Sequence, residues 1–147
     1  MSNRGRPFAV ESPLPPHLDG LLAYWKDLCR GQADMPFADD IDMNRVRELV
    51  SDSFTLGVFA KPARYRLELA STPHAPAVEG DLLDRFIDEV ALPSPLEYLR
   101  AQAEAAVEGM GPTIYAHDHG GVAYQRLLLP AWGEGQVKLL LGAVEYR

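Results

Sequence analysis

The chain has 147 residues, which is the size of one domain, and its 47% hydrophobic and 24% charged residues are ordinary for a globular protein. A formal net charge of -7 argues against a nucleic-acid partner, because phosphate binding depends on concentrated positive charge. One cysteine, Cys29, excludes an internal disulfide, and no stretch approaches the ~18 consecutive apolar residues of a membrane span. We therefore expect a cytoplasmic domain that binds neither nucleic acid nor membrane.

The start of the chain is rich in proline and then becomes amphipathic. Four prolines without apolar periodicity predict a flexible N-terminal arm over residues 1–16, followed by the folded domain over 17–147. An apolar stripe at helical spacing predicts a first helix that ends near Gly31. The stripe consists of Leu18, Leu21, Leu22 and Trp25. A short helix capped by Asp42 is expected next.

Two β segments follow, over residues 53–60 and 63–70, and they predict an antiparallel hairpin. In the second segment Tyr65, Leu67 and Leu69 alternate with charged residues, so we expect these three side chains to share one face of the strand.

Helical patterns return after a link that contains prolines. An apolar stripe predicts a helix over residues 81–92, which Pro93 would end. A capping-box pattern from Ser94 to Glu97 begins a longer helix, whose buried face is expected to run as far as Met110.

The last third of the chain predicts a three-stranded meander over residues 113–118, 122–130 and 136–146. Glycine-containing turns separate these segments, and glycine tolerates the positive φ of tight turns. The whole pattern is that of an α+β domain with five antiparallel strands and with helices inserted after the second strand.

Four stretches carry a family resemblance: "LLAYWKDLCRG", "MPFADDID", "ARYRLELAST" and "YQRLLLPAWGEGQVKLLLGAVEY". Across about residues 18–146 the chain resembles the PAS-like domains of alphaproteobacteria known as PAS family 5, which are often short stand-alone bacterial proteins. The resemblance implies a PAS-like fold, in which helices pack on one face of a five-stranded antiparallel sheet. The first helix would be an addition at the N-terminus.

The resemblance further implies a non-enzymatic sensory or signalling domain that acts through protein–protein contacts. A small molecule in a cavity between sheet and helices would shift the balance between two arrangements. The candidate ligand-binding residues are Leu67, Leu69, Phe86, Ile87, Arg126 and Leu128. Arg126 is the polar candidate, because it interrupts an apolar strand. We expect it to pair with a carboxylate, either from a ligand or from Glu68.

No cofactor is predicted. Haem-binding PAS sensors commonly take a histidine from the helices before the meander, and residues 82–108 contain none. Flavin-binding PAS sensors carry a cysteine motif that differs from the "DLCRG" around Cys29, which we interpret as a small core residue. Neither haem nor flavin is expected.

Three alternatives remain open from the sequence. The stripe Leu18, Leu21, Leu22 and Trp25 needs a partner, which is either the chain's own sheet or a second subunit, so a homodimer through this helix is one hypothesis. A second is a ligand-free protein-interaction module with a packed interior. A third is a small metal-dependent enzyme of nuclear-transport-factor-like architecture that uses His117 or His119. Two histidines alone are too few ligands, so no metal site is predicted.

Overall fold

The computed structural model describes residues 8–11, 13–29, 33–60, 63–71, 84–92 and 95–146, and of residues 69–71 only the backbone. Three α-helices, one 3₁₀ turn at Ala38–Asp40 and five strands follow one another along these ranges. They are α1 (Pro16–Leu28), α2 (Met43–Leu49), β1 (Asp52–Phe59), β2 (Arg64–Ser71), α3 (Leu99–Gly109), β3 (Thr113–His119), β4 (Val122–Gly133) and β5 (Gln136–Tyr146). The strands form one sheet in the order β2-β1-β5-β4-β3, and all its pairings are antiparallel. The predicted α+β class is confirmed, and the architecture fits the PAS-like description.

Helices cover both faces of the sheet. On one face Tyr124 and Arg126 of β4 contact the region around α3. The adjacent residue Gln125 faces the opposite side, and its partner Glu145 on β5 contacts the start of α1. Successive residues of a strand point to opposite faces. The two helices therefore lie on opposite sides, and the additional N-terminal helix covers the face that α3 leaves open.

Helix α1 is held to the sheet by its apolar stripe and by polar contacts, including those of its first turn. The four predicted stripe residues are between 0% and 8% exposed, and the Trp25 indole donates a hydrogen bond of 2.8 Å to the carbonyl of Pro130. A fully buried leucine side chain contributes roughly 1.5–3 kcal/mol to folding, so this stripe is a main source of stability. The stripe is buried within one chain, which corrects the hypothesis that a second subunit covers it. The sequence alone cannot show that the sheet presents a second apolar face.

The first turn of α1 finds its acceptor on β5. The backbone amides of His17 and Leu18 donate to Oε1 of Glu145 at 3.0 and 3.2 Å, and Nδ1 of His17 lies 3.2 Å from Oε2. A carboxylate here satisfies two otherwise orphaned amides and the positive end of the helix dipole. The predicted cap of α2 is confirmed as well, since the Asp42 side chain accepts from the amide of Asn44 at 3.0 Å.

The helix predicted over residues 81–92 is wrong for the part that the structure describes. Residues 84–92 contain no helix. Asp84 has a φ of 63°, and the segment that follows it pairs with the outer edge of β2. The amides of Leu67 and Ile87 donate to the carbonyls of Arg85 and Tyr65 at 3.1 and 2.9 Å. An edge strand offers unpaired backbone groups, and pairing with them outweighs the amphipathic pattern.

Helix α3 begins later than predicted, at Leu99 rather than near Pro95. Tyr98 precedes it in the left-handed region with a φ of 58°, which interrupts the helix that the capping pattern suggests. Ser94 lies outside the described residues. Met110 is also a wrong prediction for the buried face, because it follows the helix with a φ of 53° and is 43% exposed.

The predicted three-stranded meander is confirmed, with strands at Thr113–His119, Val122–Gly133 and Gln136–Tyr146. Gly120, Gly121 and Gly135 all have positive φ, between 65° and 80°, as tight turns between strands require. The predicted hairpin of β1 and β2 is also present, although a bulge at Thr55 and Leu56 interrupts its register. None of the described helices is long and apolar enough to cross a membrane.

Candidate functional site

Arg126 lies in the middle of β4 with its side chain in the core between the sheet and α3. It is 0% exposed, and the three residues that follow it on the strand are all leucines. Its guanidinium donates three hydrogen bonds: Nε to Oε1 of Gln102 at 2.8 Å, Nη1 to the carbonyl of Pro95 at 2.8 Å and Nη2 to the carbonyl of Glu97 at 2.7 Å. A buried charge is tolerated only where such bonds replace the lost hydration.

Gln102 completes this arrangement from the side of α3. It is fully buried, and its amide nitrogen donates to Oγ1 of Thr113 at 3.2 Å and to the backbone carbonyl of Arg126 at 3.0 Å. Its oxygen therefore faces the guanidinium, which fixes the orientation of the amide. The Arg126 network, made of Arg126, Gln102, Thr113 and the carbonyls of Pro95 and Glu97, joins α3 and the segment before it to β3 and β4.

Burial lowers the pKa of Arg126 from its ordinary value to about 10, while the nearby Tyr124, Tyr115 and Glu97 act in the opposite direction. The side chain therefore remains charged at neutral pH. The guanidinium carbon also lies 4.8 Å from the centre of the Tyr115 ring, a distance that allows a cation–π contact.

The predicted carboxylate partner of Arg126 is not what the structure shows. Its three hydrogen bonds go to two backbone carbonyls and one amide. Glu68 instead accepts a hydrogen bond from Arg66 at 2.8 Å and lies next to Gly57. This side of the sheet is opposite to the side that carries the Arg126 side chain. The sequence places Arg126 in an apolar strand, but it does not show whether Arg126 and Glu68 lie on the same face of the sheet.

A second group of polar side chains lies beside the network and runs from the buried Tyr124 to the partly exposed Glu97. The hydroxyl of Tyr124 donates to Oε1 of Glu97, and the hydroxyl of Tyr115 lies 2.8 Å from Nδ1 of His117. Nε2 of His117 is 3.9 Å from Oε2 of Glu97, and its ring stacks on Tyr124 with centroids 4.8 Å apart. We call Tyr115, His117, Tyr124 and Glu97 the polar–aromatic cluster.

The phenols in this cluster are held in their neutral form. Burial, assisted by the hydrogen bond to Glu97, raises the pKa of Tyr124 far above its ordinary value of 10.0. Burial also raises the pKa of Tyr115, although the nearby Arg126 opposes that change. Tyr124 therefore acts as a hydrogen-bond donor to Glu97 throughout the physiological range.

The two histidines proposed as metal ligands share one face of β3, because the strand continues through His119. Their ring centroids are 6.3 Å apart. No group of three or more His, Cys, Asp or Glu side chains within the described parts of the chain could hold a metal ion. His117 is engaged with Tyr115, Tyr124 and Glu97.

The candidate ligand-binding residues are only partly brought together. Leu67, Ile87 and Leu128 are at most 5% exposed and belong to the hydrophobic core. Phe86 lies elsewhere, 5.3 Å from the ring of Phe59 and 3.8 Å from the guanidinium of Arg64. The side chain of Leu69 lies outside the described part.

One shallow cavity of about 210 Å³ lies at the C-terminal end of β5, where its wall residue Val144 is the register partner of Arg126. Its walls include His17, Asp52, Glu145 and Tyr146. Glu145 and His17 are already paired with each other where they cap α1. The cavity therefore adjoins a structural contact.

Sequence reasoning missed Gln102, Glu97 and Tyr115. Gln102 had a detectable signal, because it stands three residues after Leu99 on the apolar stripe of α3. A polar residue on a buried stripe indicates a partner in the core. Glu97 takes part through both its backbone carbonyl and its carboxylate, and the carbonyl leaves no trace in the sequence pattern.

Comparisons with protein-family models, with curated proteins and with solved structures find no match to this chain. The resemblance to PAS-like domains is therefore carried by the sequence motifs and the architecture alone.

Proposed function

We propose that the chain is a non-enzymatic bacterial PAS-like domain that takes part in sensing or signalling through protein–protein contacts. The observation that carries the proposal is the antiparallel sheet whose segment between β2 and β3 is fastened back onto it by Arg126. At residues 95–98 this attachment depends on one buried side chain, so this part of the segment has two natural arrangements, attached and released. A sensory domain needs such a pair of states.

The sensory form of the proposal places a small molecule between the sheet and the inserted segment, beside Leu67, Ile87 and Leu128. An organic anion is the class that Arg126 would recognise, since guanidinium binds carboxylates through paired hydrogen bonds. Such a ligand would replace the carbonyls of Pro95 and Glu97 as acceptors, and it would release the segment.

Thermal-shift measurements against a panel of organic acids test this form. A ligand at Arg126 raises the melting temperature of the wild type but not that of Arg126→Met. The matched control is Arg66→Met, which removes an arginine from the opposite face of the sheet and should keep the response. Native mass spectrometry of the purified protein shows whether a molecule is already bound.

The second candidate is a ligand-free protein-interaction module, and the network itself favours it. Three donors of Arg126 already have protein acceptors, so the core is complete without a ligand. A panel that gives no shift and a native mass equal to that of the bare chain would support the module over the sensor.

A homodimer remains part of the proposal, although it cannot use the stripe of α1. Among the described residues, four large apolar side chains are at least 36% exposed and are alternative contact points. They are Phe37, Phe59, Tyr98 and Met110. Sedimentation velocity at micromolar concentration tests self-association, and a purely monomeric species would remove the homodimer while leaving a different protein partner open.

A further inference from the structure

His117 lies where the segment of residues 95–98 meets the sheet. We call this segment the latch, because its carbonyls at Pro95 and Glu97 are held by Arg126. The Glu97 carboxylate extends the same attachment outward: it accepts from Tyr124 and lies 3.9 Å from Nε2 of His117. The first bonds of α3 also begin here, since the amides of Leu99 and Gln102 donate to the carbonyls of Leu96 and Tyr98, both at 3.2 Å.

The geometry points to a pH-sensitive latch: protonation of His117 tightens the attachment of residues 95–98 to β3 and β4. Neutral imidazole can accept from the Tyr115 hydroxyl at Nδ1 while Nε2–H faces Glu97. The imidazolium donates from both nitrogens and adds a positive charge beside the carboxylate. The hydrogen bond to Tyr115 is present in both forms, so the attraction to Glu97 is what changes.

The charged and polar groups around His117 favour a tighter attachment when His117 is protonated. Glu97 faces it from the latch, Tyr115 and His119 from β3, and Tyr124 from β4, with Tyr146 of β5 behind Tyr124 at 5.9 Å. The one opposing cation of the network is Arg126, and it lies against the ring of Tyr115. The side chains of His117 and Glu97 are only 11% and 29% exposed, so water screens their attraction incompletely.

The inference adds a regulatory device and does not depend on the signalling role, because the latch can be observed without any ligand or partner. Hydrogen–deuterium exchange of the intact chain, measured at about pH 5.5 and about pH 8, brackets the range in which histidine changes charge. Protection factors at Leu99 and Gln102, each normalised to its intrinsic exchange rate, report on the latch. We expect the protection factors to be about fivefold higher at the lower pH. This factor corresponds to the largest stabilisation that a partly exposed ion pair usually gives.

Three variants test whether the attraction between His117 and Glu97 causes the difference in protection. His117→Gln and Glu97→Gln should both abolish the difference between the two pH values, and Glu97→Gln keeps the backbone carbonyl that Arg126 binds. His119→Gln, on the same face of the same strand, should retain the difference. The inference is overturned by equal protection at both pH values in the wild type, by higher protection at the higher pH, or by an unchanged difference in His117→Gln.

Discussion

Replacing Arg126 by methionine tests whether this buried charge stabilises the fold. Methionine keeps an unbranched apolar side chain, but it ends at the position of Nε and removes all three hydrogen bonds. The carbonyls of Pro95 and Glu97 and the amide oxygen of Gln102 then lose their donor. A competing effect exists, since replacing a buried charge by an apolar group often costs nothing or even stabilises a protein.

The structure allows the two effects to be compared. Hydrogen bonds to a charged group contribute about 1.5–3 kcal/mol each, so three of them amount to roughly 4.5–9 kcal/mol. Burial lowers the pKa of Arg126 from its ordinary value to about 10. At ~1.4 kcal/mol per pKa unit, this corresponds to a cost of about 3 kcal/mol for keeping the group charged. The hydrogen bonds contribute more free energy than the burial of the charge costs. We therefore expect Arg126→Met to lower the free energy of unfolding by about 3 kcal/mol.

Urea unfolding followed by circular dichroism measures this loss. Leu128→Met, two residues along on the same face of β4, is the control and should cost less than about 1.5 kcal/mol. A loss below about 1 kcal/mol in Arg126→Met would refute the reasoning, because the cost of burying the charge would then equal its hydrogen bonds. A double variant with Gln102→Met adds a further check: the two losses should be less than additive, since both remove the same contact.

Three further predictions concern other parts of the chain. Gly142→Ala should destabilise the fold by about 1–3 kcal/mol in urea unfolding, because its Cβ would stand 2.2 Å from the buried ring of Phe54. Gly57→Ala should be tolerated better, since only a flexible carboxylate must move there; equal losses would contradict this distinction. Burial raises the pKa of four tyrosines, Tyr65, Tyr115, Tyr124 and Tyr146. The unfolded chain therefore loses these protons first, and stability should fall as the pH rises above about 10, with the buried arginine opposing only in part. Ultraviolet difference absorbance should then show these phenols ionising together with unfolding, and ionisation of all four in the native protein would disprove the prediction. Finally, hydrogen bonds from Arg64 lower the pKa of Asp88, so its contribution is present above 3.8 and is lost as the pH falls through the folded value. Asp88→Asn should make the urea midpoint less dependent on pH in that acidic range, and an unchanged dependence would count against the pair.

The strands of this fold could be predicted because their signals are local. Alternating side chains and turn glycines define β3, β4 and β5 within a few residues of their observed limits. The inserted segment could not be predicted in the same way. Its pattern over residues 84–92 suits a helix, but the outer edge of β2 offers backbone partners that the pattern does not contain. Local periodicity is outweighed where a neighbouring strand would otherwise be left open.

The candidate site, like the fold, has one part that the sequence pattern predicts and another part that depends on the assembled structure. Arg126 could be singled out from the sequence, because a charge in an apolar strand requires partners. Their identity depended on which face of the sheet β4 presents to α3, and this is a property of the assembled sheet. The predicted partner Glu68 lies near the other face, whereas two of the actual acceptors are backbone carbonyls, which every residue possesses. Sequence patterns can indicate that a donor needs acceptors but cannot say which carbonyls supply them.

The described part of the inserted region is attached to the sheet at residues 84–87 and at residues 95–98 by different chemistry, and this difference determines which attachment can be regulated. At Asp84 to Ile87 the bonds join backbone to backbone at the edge of β2, so they depend little on side-chain identity or charge. At residues 95–98 the attachment depends on Arg126, and its outer side depends on the charge of Glu97 and His117. A substitution of Arg126 or the loss of positive charge from His117 therefore weakens the second attachment while the first stays in place. The start of α3 is the part of the domain next to this second attachment, and Tyr98 lies there, 69% exposed and in a left-handed conformation.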